Sequence, residues 1–162
     1  MNYVYLVLSI MTVIYLILSA KRDLKERLIY SFPCVILMDA WAIVLWKGRS
    51  YSQAFIIAYL LGHALIFLLM KLKKLWGDGD GDMFLLLGNV CIACLQMENP
   101  ISLVITECLC VVAVMMIAIG VGAIEYKVKK KPFHINGDVA VVPGFAVVLT
   151  AVMIYGVCRR LM

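Results

Sequence analysis

Long runs of apolar residues, separated by short polar segments, make up most of this chain. Each run is continuous rather than alternating, which favours helices over the strands of a membrane barrel. A helix needs about 20 residues to cross a bilayer, within a range of about 17–25. Six runs approach that length: Tyr3–Ala20, Phe32–Trp46, Ala54–Met70, Met83–Met97, Ile101–Ile124 and Val139–Val157. The second and fourth runs are short, so their ends must borrow flanking residues or lie buried among other helices.

Composition indicates whether these helices fold in water or in a membrane. Hydrophobic residues make up 65% of the 162 residues, against roughly 45–50% in soluble domains. Charged residues make up only 15%, where roughly 25% is usual. A soluble fold of this length has too little interior to hide so much apolar surface, and disorder and a disulfide-rich secreted module are also excluded. The sequence predicts an all-α integral membrane protein, a polytopic bundle of about six transmembrane helices forming a single domain over residues 1–162.

The basic residues mark membrane topology rather than nucleic-acid binding, because nearly all of them lie just outside apolar runs. The first run has no basic segment before it, so we interpret it as a retained helix and not as a signal peptide. With the N-terminus outside, 11 basic residues face the cytoplasm and 4 face outward. The inward set is Lys21, Arg22, Lys25, Arg27, Lys71, Lys73, Lys74, Lys127, Lys129, Lys130 and Lys131. The outward set is Lys47, Arg49, Arg159 and Arg160, and its last pair runs against the bias. This pattern predicts a multi-pass protein of the inner or plasma membrane.

Acidic residues cluster in two segments that border apolar runs. Asp23 directly follows the first run, and residues 77–82 alternate as Gly-Asp-Gly-Asp-Gly-Asp immediately before the fourth. Two spans separate these segments, so both must emerge on the same face of the membrane, which is predicted to be cytoplasmic. Each has a simpler interpretation: Asp23 as a solvated charge among basic residues, and the alternating segment as a flexible loop.

Paired carboxyl groups at a poorly hydrated boundary have a specific chemistry. Two such groups held close together cannot both ionise easily, so one becomes an acid while the other stays a base. A pair of this kind can activate water against a peptide carbonyl and then protonate the leaving amine. The glycines would let the backbone adopt left-handed conformations and let a substrate strand approach closely.

Metal binding is the competing interpretation of the alternating segment. Asp78, Asp80 and Asp82 match the start of a calcium loop. However, the sixth position is Met83 instead of Gly and the twelfth is Asn89 instead of Glu. Cys91 and Cys94 have the spacing of half a zinc or redox site, but no second pair or nearby His completes it. We therefore expect no metal and no cofactor, and we interpret the cysteines as small apolar residues in helix packing.

Two further acids lie deep within apolar runs. Asp39 is midway along the second run and Glu107 lies within the fifth. Intramembrane carboxyl groups are costly and are functional candidates by default. Each can equally be a bundle-facing carboxyl, neutral or hydrogen-bonded to His63 or Tyr59. These two acids favour the rival hypothesis of a non-enzymatic membrane protein, either an ion-binding transporter or a pilus or secretion assembly subunit.

Histidines outside the acidic segments have simpler interpretations. His63 in the third run is interpreted as a packed polar contact. His134 lies in the segment 131–138, interpreted as a polar turn before the last helix.

The two acidic segments resemble those of the type IV prepilin peptidases, a family of GxGD intramembrane aspartic proteases. That family has an Asp in a short basic stretch that ends in Ile-Pro-Asn; here Asp23 leads to Ile29-Tyr30-Ser31. Its second segment, Gly-x-Gly-Asp with a Gly eight residues later, matches residues 77–80 and Gly88. The match one step later, over residues 79–82, places Gly88 only six residues on. Asp80 is therefore preferred to Asp82 as the partner of Asp23, although both registers stay open.

The resemblance implies an endopeptidase that removes the basic leader of type IV prepilin-like precursors at the cytoplasmic membrane face. It implies Asp23 and Asp80 as catalytic residues and a catalytic loop of Gly77, Gly79, Gly81, Asp82 and Gly88. Asp78, Asp39 and Glu107 are possible secondary residues because of their own positions in the chain. Larger members carry an extra domain with paired cysteines and also N-methylate the product, so this chain resembles the short, peptidase-only form. Expected partners are the precursors and membrane lipids, but not nucleic acid. Anionic lipid headgroups are expected at the basic loops, and the leader is expected near Asp78 and Asp82. The oligomeric state stays open.

Overall fold

A computed structural model describes residues 2–48, 51–73, 77–128 and 139–161 of the chain. Within these ranges the chain forms six helices and no strand. The helices are α1 (Asn2–Glu26), α2 (Ser31–Gly48), α3 (Gln53–Leu72), α4 (Asp78–Leu95), α5 (Pro100–Val128) and α6 (Val142–Leu161). All of them except α4 are long enough and apolar enough to cross a membrane. The predicted polytopic helical bundle is therefore confirmed.

Helix α4 is the central element of the bundle. It packs against α2, α3, α5 and α6, while α1 packs against α2 and α6. Most side chains of α4 between Met83 and Leu95 are buried. Both alternatives left open for the short fourth run apply, since α4 takes in flanking residues from Asp78 onward and is buried among neighbouring helices.

Two helix ends differ from the positions that hydropathy predicts. Helix α1 continues past Ala20 to Glu26, so Asp23 lies in its last turn and not in a loop. The residues after Ala20 include good helix formers, and the ion pair between Arg22 and Glu26 at 3.1 Å supports this extra turn. At the other end of the chain, α6 begins at Val142, three residues later than the apolar run.

Arginines at the end of α6 close the C-terminal end of α4. Arg159 donates to the carbonyl oxygens of Leu95 at 2.7 Å and Gln96 at 2.9 Å, and Arg160 donates to that of Ala93 at 3.0 Å. The last carbonyl groups of a helix have no partner within it and carry partial negative charge. The Arg159–Arg160 pair, which runs against the charge bias, therefore has a structural role.

Candidate functional site

Four helix ends meet at one end of the bundle, which we call the carboxylate end. The backbone N–H of Val142, at the start of α6, donates to Oδ2 of Asp23 at 3.1 Å. Arg27, directly after α1, binds both carboxylate oxygens of Glu125 in α5 at 2.9 and 2.8 Å. The first turn of α4 lies here too, because Gly79 packs against Ile29 in the α1–α2 connection.

Asp23 is held in place by the elements around it. Its side chain is only 6% exposed, and it accepts one of the N–H groups that the start of α6 leaves without a partner in the helix. The guanidinium group of Arg27 and the carboxyl group of Glu125 are both within electrostatic reach of it. Asp23 is thus a buried carboxyl group that the start of α6 holds in place.

Asp80 lies one turn into α4 and is half-buried. Burial, and then the negative charge of Asp23, raise the pKa of Asp80 to about 6, while a hydrogen bond from the backbone N–H of Gly77 opposes this. Gly77 is the N-cap residue of α4, so Asp80 reaches back to the cap as the third residue of a capping box does. Asp23 and Asp80 therefore lie at the same end of the bundle and interact electrostatically.

The alternating Gly-Asp segment was predicted to be a loop. In the structure it forms the first turns of α4. Asp78 is the first residue of the helix, and no glycine in the described ranges has a positive φ. The expectation of left-handed glycines is therefore wrong. Carboxylates are favoured in a first helical turn because its N–H groups are free and positively polarised. This preference offsets the poor helix propensity of glycine.

The glycines instead allow close approach of the chain's own elements. A Cβ atom on Gly79 would lie 2.6 Å from Cγ1 of Ile29 in the α1–α2 connection. A Cβ atom on Gly81 would lie 2.5 Å from Cε2 of Phe67 in α3. The two segments that carry the family resemblance are therefore in direct contact, through Ile29 and Gly79.

The helical register separates Asp80 from Asp82. Residues two apart in a helix point about 200° away from one another. Consistent with this, the charge of Asp82 acts on Tyr15 in α1 and Cys34 in α2, whereas Asp80 interacts with Asp23. The geometry favours Asp80 as the partner of Asp23. The side chain of Asp78 and the whole segment 131–138, including His134, lie outside the described residues.

A second polar cluster lies within the bundle, formed by Tyr59, His63 and Glu107, all of them buried. The Tyr59 hydroxyl donates to Oε2 of Glu107 at 2.5 Å, and Nε2 of His63 bonds Oε1 of the same carboxyl. Nδ1 of His63 lies 2.9 Å from the carbonyl oxygen of Tyr59. That oxygen only accepts, so Nδ1 carries a proton, and a further proton lies between Nε2 and Glu107. The interpretation of Glu107 as hydrogen-bonded to His63 or Tyr59 is confirmed for both partners.

Gly88 belongs to this cluster and not to a catalytic loop. A Cβ atom on Gly88 would lie 2.5 Å from Cδ2 of His63, and Phe84 stacks on the His63 ring at 5.1 Å between centroids. Asp80, Phe84 and Gly88 follow at intervals of four, so they share one face of α4. Sequence spacing places Gly88 correctly relative to Asp80, but only the structure identifies His63 as its contact.

Asp39 differs from Glu107 in its surroundings. It is exposed on the outer face of α2, and no hydrogen bond or ion pair reaches it from the part of the chain that the structure describes. Of the two interpretations left open for Asp39, the one of a bundle-facing carboxyl is therefore wrong. No contact links it to Glu107 among the described residues.

The cysteines serve packing where the structure shows their contacts. The Tyr5 hydroxyl bonds Sγ of Cys94 at 2.6 Å, and a Cβ atom on Gly156 would lie 2.9 Å from Cβ of Cys94. All six cysteines are free. Over the described ranges no group of three His, Cys, Asp or Glu side chains is arranged to hold a metal ion.

Comparison with protein-family models, with curated proteins and with solved structures finds no match to this chain.

Proposed function

We propose that this protein is an intramembrane aspartic endopeptidase in which Asp23 and Asp80 share a proton and a catalytic water. The observation that carries the proposal is the contact between the two Asp-bearing segments, through Ile29 and Gly79, which brings buried Asp23 and half-buried Asp80 to one end of the bundle. Burial and the negative charge of Asp23 raise the pKa of Asp80 to about 6. A carboxyl group of this kind is protonated far more readily than an exposed Asp near neutral pH, while its neighbour remains available as a base.

In this proposal the two carboxyl groups have different roles. Asp23, which accepts the N–H of Val142, is the base that takes a proton from water as that water attacks the peptide carbonyl. Asp80, in its protonated form, donates a hydrogen bond to the carbonyl oxygen as negative charge develops there. The C–N bond then breaks, and one of the two protons now held by the pair passes to the leaving amine. The pair ends with one shared proton, as it began.

The substrate class rests on the family resemblance. We propose type IV prepilin-like precursors, cut after a short basic leader at the cytoplasmic membrane face, with the precursor's apolar helix beside the bundle. Asp82, together with Asp78, would attract the leader, while the basic residues of the same end bind anionic lipid headgroups. Leader affinity that is unchanged in a variant with both Asp78→Asn and Asp82→Asn would remove this role. The proposed activity is that of a peptidase without the methyltransferase step.

The decisive experiment compares three isosteric variants. Purified Asp23→Asn, Asp80→Asn and Asp82→Asn proteins are incubated with co-encoded pilin-like precursors, and leader removal is followed by gel mobility and mass spectrometry. We expect Asp23→Asn and Asp80→Asn to lose about 100-fold or more in rate, as for removal of a general acid or base. Asp82→Asn, in the same helical turn, should lower the affinity for the leader but keep the rate at saturating precursor.

Each contrary outcome has a definite meaning. Normal cleavage by both Asp23→Asn and Asp80→Asn would refute the protease proposal. If Asp82→Asn loses cleavage activity while Asp80→Asn cleaves normally, then Asp82 and not Asp80 is the partner of Asp23. An ion-binding transporter would instead depend on Asp39 and Glu107 and would tolerate changes at Asp23 and Asp80, so Asp39→Asn and Glu107→Gln complete the panel.

A further inference from the structure

Asp39 lies at the centre of a membrane-spanning helix and points away from the bundle. Helix α2 has 18 residues and is about 27 Å long at 1.5 Å per residue, close to the roughly 30 Å of the hydrocarbon core. Asp39 is its ninth residue and is exposed. Carboxyl groups at this depth are costly and nearly always face the interior of a bundle or a partner.

The residues around Asp39 form a regular apolar stripe. Phe32 is 77% exposed, Ile36 51%, Ile43 57% and Trp46 50%. With Asp39 between them, their spacing alternates four and three residues, which is the pattern of a helix seam that meets another helix. We call these five residues the outer stripe of α2. The opposite side of the helix is already used, because Cys34, Leu37, Trp41 and Leu45 are buried against the bundle.

An apolar groove continues the outer stripe towards α1. Its volume is about 460 Å³, and it is lined by Tyr3, Val4, Val7, Leu8, Met11, Ala40, Ile43 and Val44. Ile43 belongs to both surfaces, and Ala40 is next to Asp39 in sequence. A helix lying on the outer stripe would therefore have space for its side chains in the groove.

The occupant must be present whenever the protein is in the membrane, because the cost of exposing Asp39 to lipid is continuous. A substrate that binds and leaves does not meet this condition. A second copy of the chain does, and because both copies insert with the same orientation, a two-fold axis along the membrane normal places the two Asp39 side chains at the same depth. The two side chains then hydrogen-bond one another across the seam, so each has a polar partner inside the membrane.

We propose that the outer stripe of α2 is the interface of a homodimer, with Asp39 of the two copies hydrogen-bonded to one another at its centre. A central polar residue in an apolar seam fixes the register and the number of helices. Removal of its hydrogen bond would weaken the pairing, whereas an amide would preserve it. The proposal is independent of the protease activity.

Association is measured by energy transfer between two fluorescently labelled populations of the protein in liposomes, over a range of protein-to-lipid ratios. We expect dimers for the natural protein and for Asp39→Asn. Asp39→Leu and Ile43→Ala should each raise the dissociation mole fraction by about tenfold or more. Leu65→Ala, at a position in α3 that is 58% exposed, is the matched control and should change nothing.

Crosslinking locates the contact. In a background with Cys108→Ser and Cys158→Ser, cysteines introduced as Ile36→Cys or Ile43→Cys should form disulfide-linked dimers, and Leu65→Cys should not. Absence of energy transfer at the highest protein density would overturn the proposal, as would crosslinking at position 65 in place of 36 and 43. A monomer whose precursor cleavage is lost in Asp39→Leu would also overturn it and would assign the stripe to the substrate helix.

Discussion

Asp80 is a half-buried carboxyl group within electrostatic reach of Asp23, and its protonation is therefore coupled to folding. Its pKa is raised to about 6 in the folded protein, against about 3.9 in an unfolded chain. Between these values the folded protein binds more protons than the unfolded chain. The contribution of Asp80 to stability is full below about pH 4 and is lost as the pH rises through about 6.

This linkage predicts a pH-dependent difference between the natural protein and Asp80→Asn, because the amide resembles the protonated carboxyl at every pH. The thermal unfolding midpoint of the natural protein should fall relative to that of Asp80→Asn between pH 4 and pH 7, with most of the change below pH 6. Thermal unfolding in detergent at several pH values measures it. Asp82→Asn should retain the slope of the natural protein; parallel curves for all three proteins would contradict the coupling.

Sequence reasoning identified the chemistry of individual residues better than their orientation. Glu107 and Asp39 look equivalent in the sequence, since each is a single acid within an apolar run. In the structure Glu107 is buried between Tyr59 and His63, whereas Asp39 is exposed. The difference depends on how each helix is rotated about its axis, which is set by packing between helices and not by the local sequence.

Helix α4 connects the carboxylate end to the middle of the bundle. Gly88 lets the His63 ring lie against the α4 backbone, and His63 is fixed in turn by Glu107 of α5. The same face of α4 carries Asp80 two turns earlier, so these contacts fix the helix that positions Asp80. A side chain at position 88 must displace a ring that is held by hydrogen bonds on both nitrogens.

Glycine substitutions test this arrangement with an internal control. Gly88→Ala should destabilise the protein by about 1–3 kcal/mol, the usual cost of overpacking, and should slow precursor cleavage if Asp80 is the catalytic acid. Gly62→Ala in α3 is the matched control, because nothing lies within 4 Å of its Cβ position. It should be neutral or stabilising, since alanine is the better helix former. Unfolding by a detergent titration measures both, and equal stability of the two variants would contradict the packing.

Helix existence was predictable from the sequence, while several helix ends were not. The apolar runs locate all six helices, because each helix needs a long run of apolar residues to pack in the bundle or to face lipid. The runs do not locate the extra turn of α1 that holds Asp23, or the start of α4 at Asp78, because both are polar. Polar residues extend a helix when a cap residue ends it favourably or an ion pair links its side chains. Here Gly77 is the N-cap residue of α4, and Arg22 and Glu26 form the ion pair of α1. The candidate site falls in these polar turns, so its residues were predictable and its helical form was not.

At the scale of the whole molecule, charge is distributed unevenly between the two ends of the bundle. The described basic residues of the carboxylate end are Lys21, Arg22, Lys25, Arg27, Lys71, Lys73 and Lys127. Those of the opposite end are Lys47, Arg159 and Arg160. Of these, Arg159 and Arg160 bind the carbonyl groups that end α4, so their position follows from packing. Without them the charge bias between the ends is stronger than the sequence alone indicates.

This distribution predicts that the carboxylate end faces the cytoplasm, because short loops rich in Lys and Arg remain on that side during insertion. An alkaline phosphatase domain, active only outside the cytoplasm, should be active when fused after Met162 and inactive when fused after Lys73 in a truncated chain. A green fluorescent protein domain, which folds in the cytoplasm, should give the reverse result. Fluorescence from the fusion after Met162 would invert the topology and place Asp23 and Asp80 outside. In that case the leader would have to cross the membrane before it could be cut. A basic leader beside an apolar helix stays on the cytoplasmic side, so the proposed substrate would not reach the two carboxyl groups.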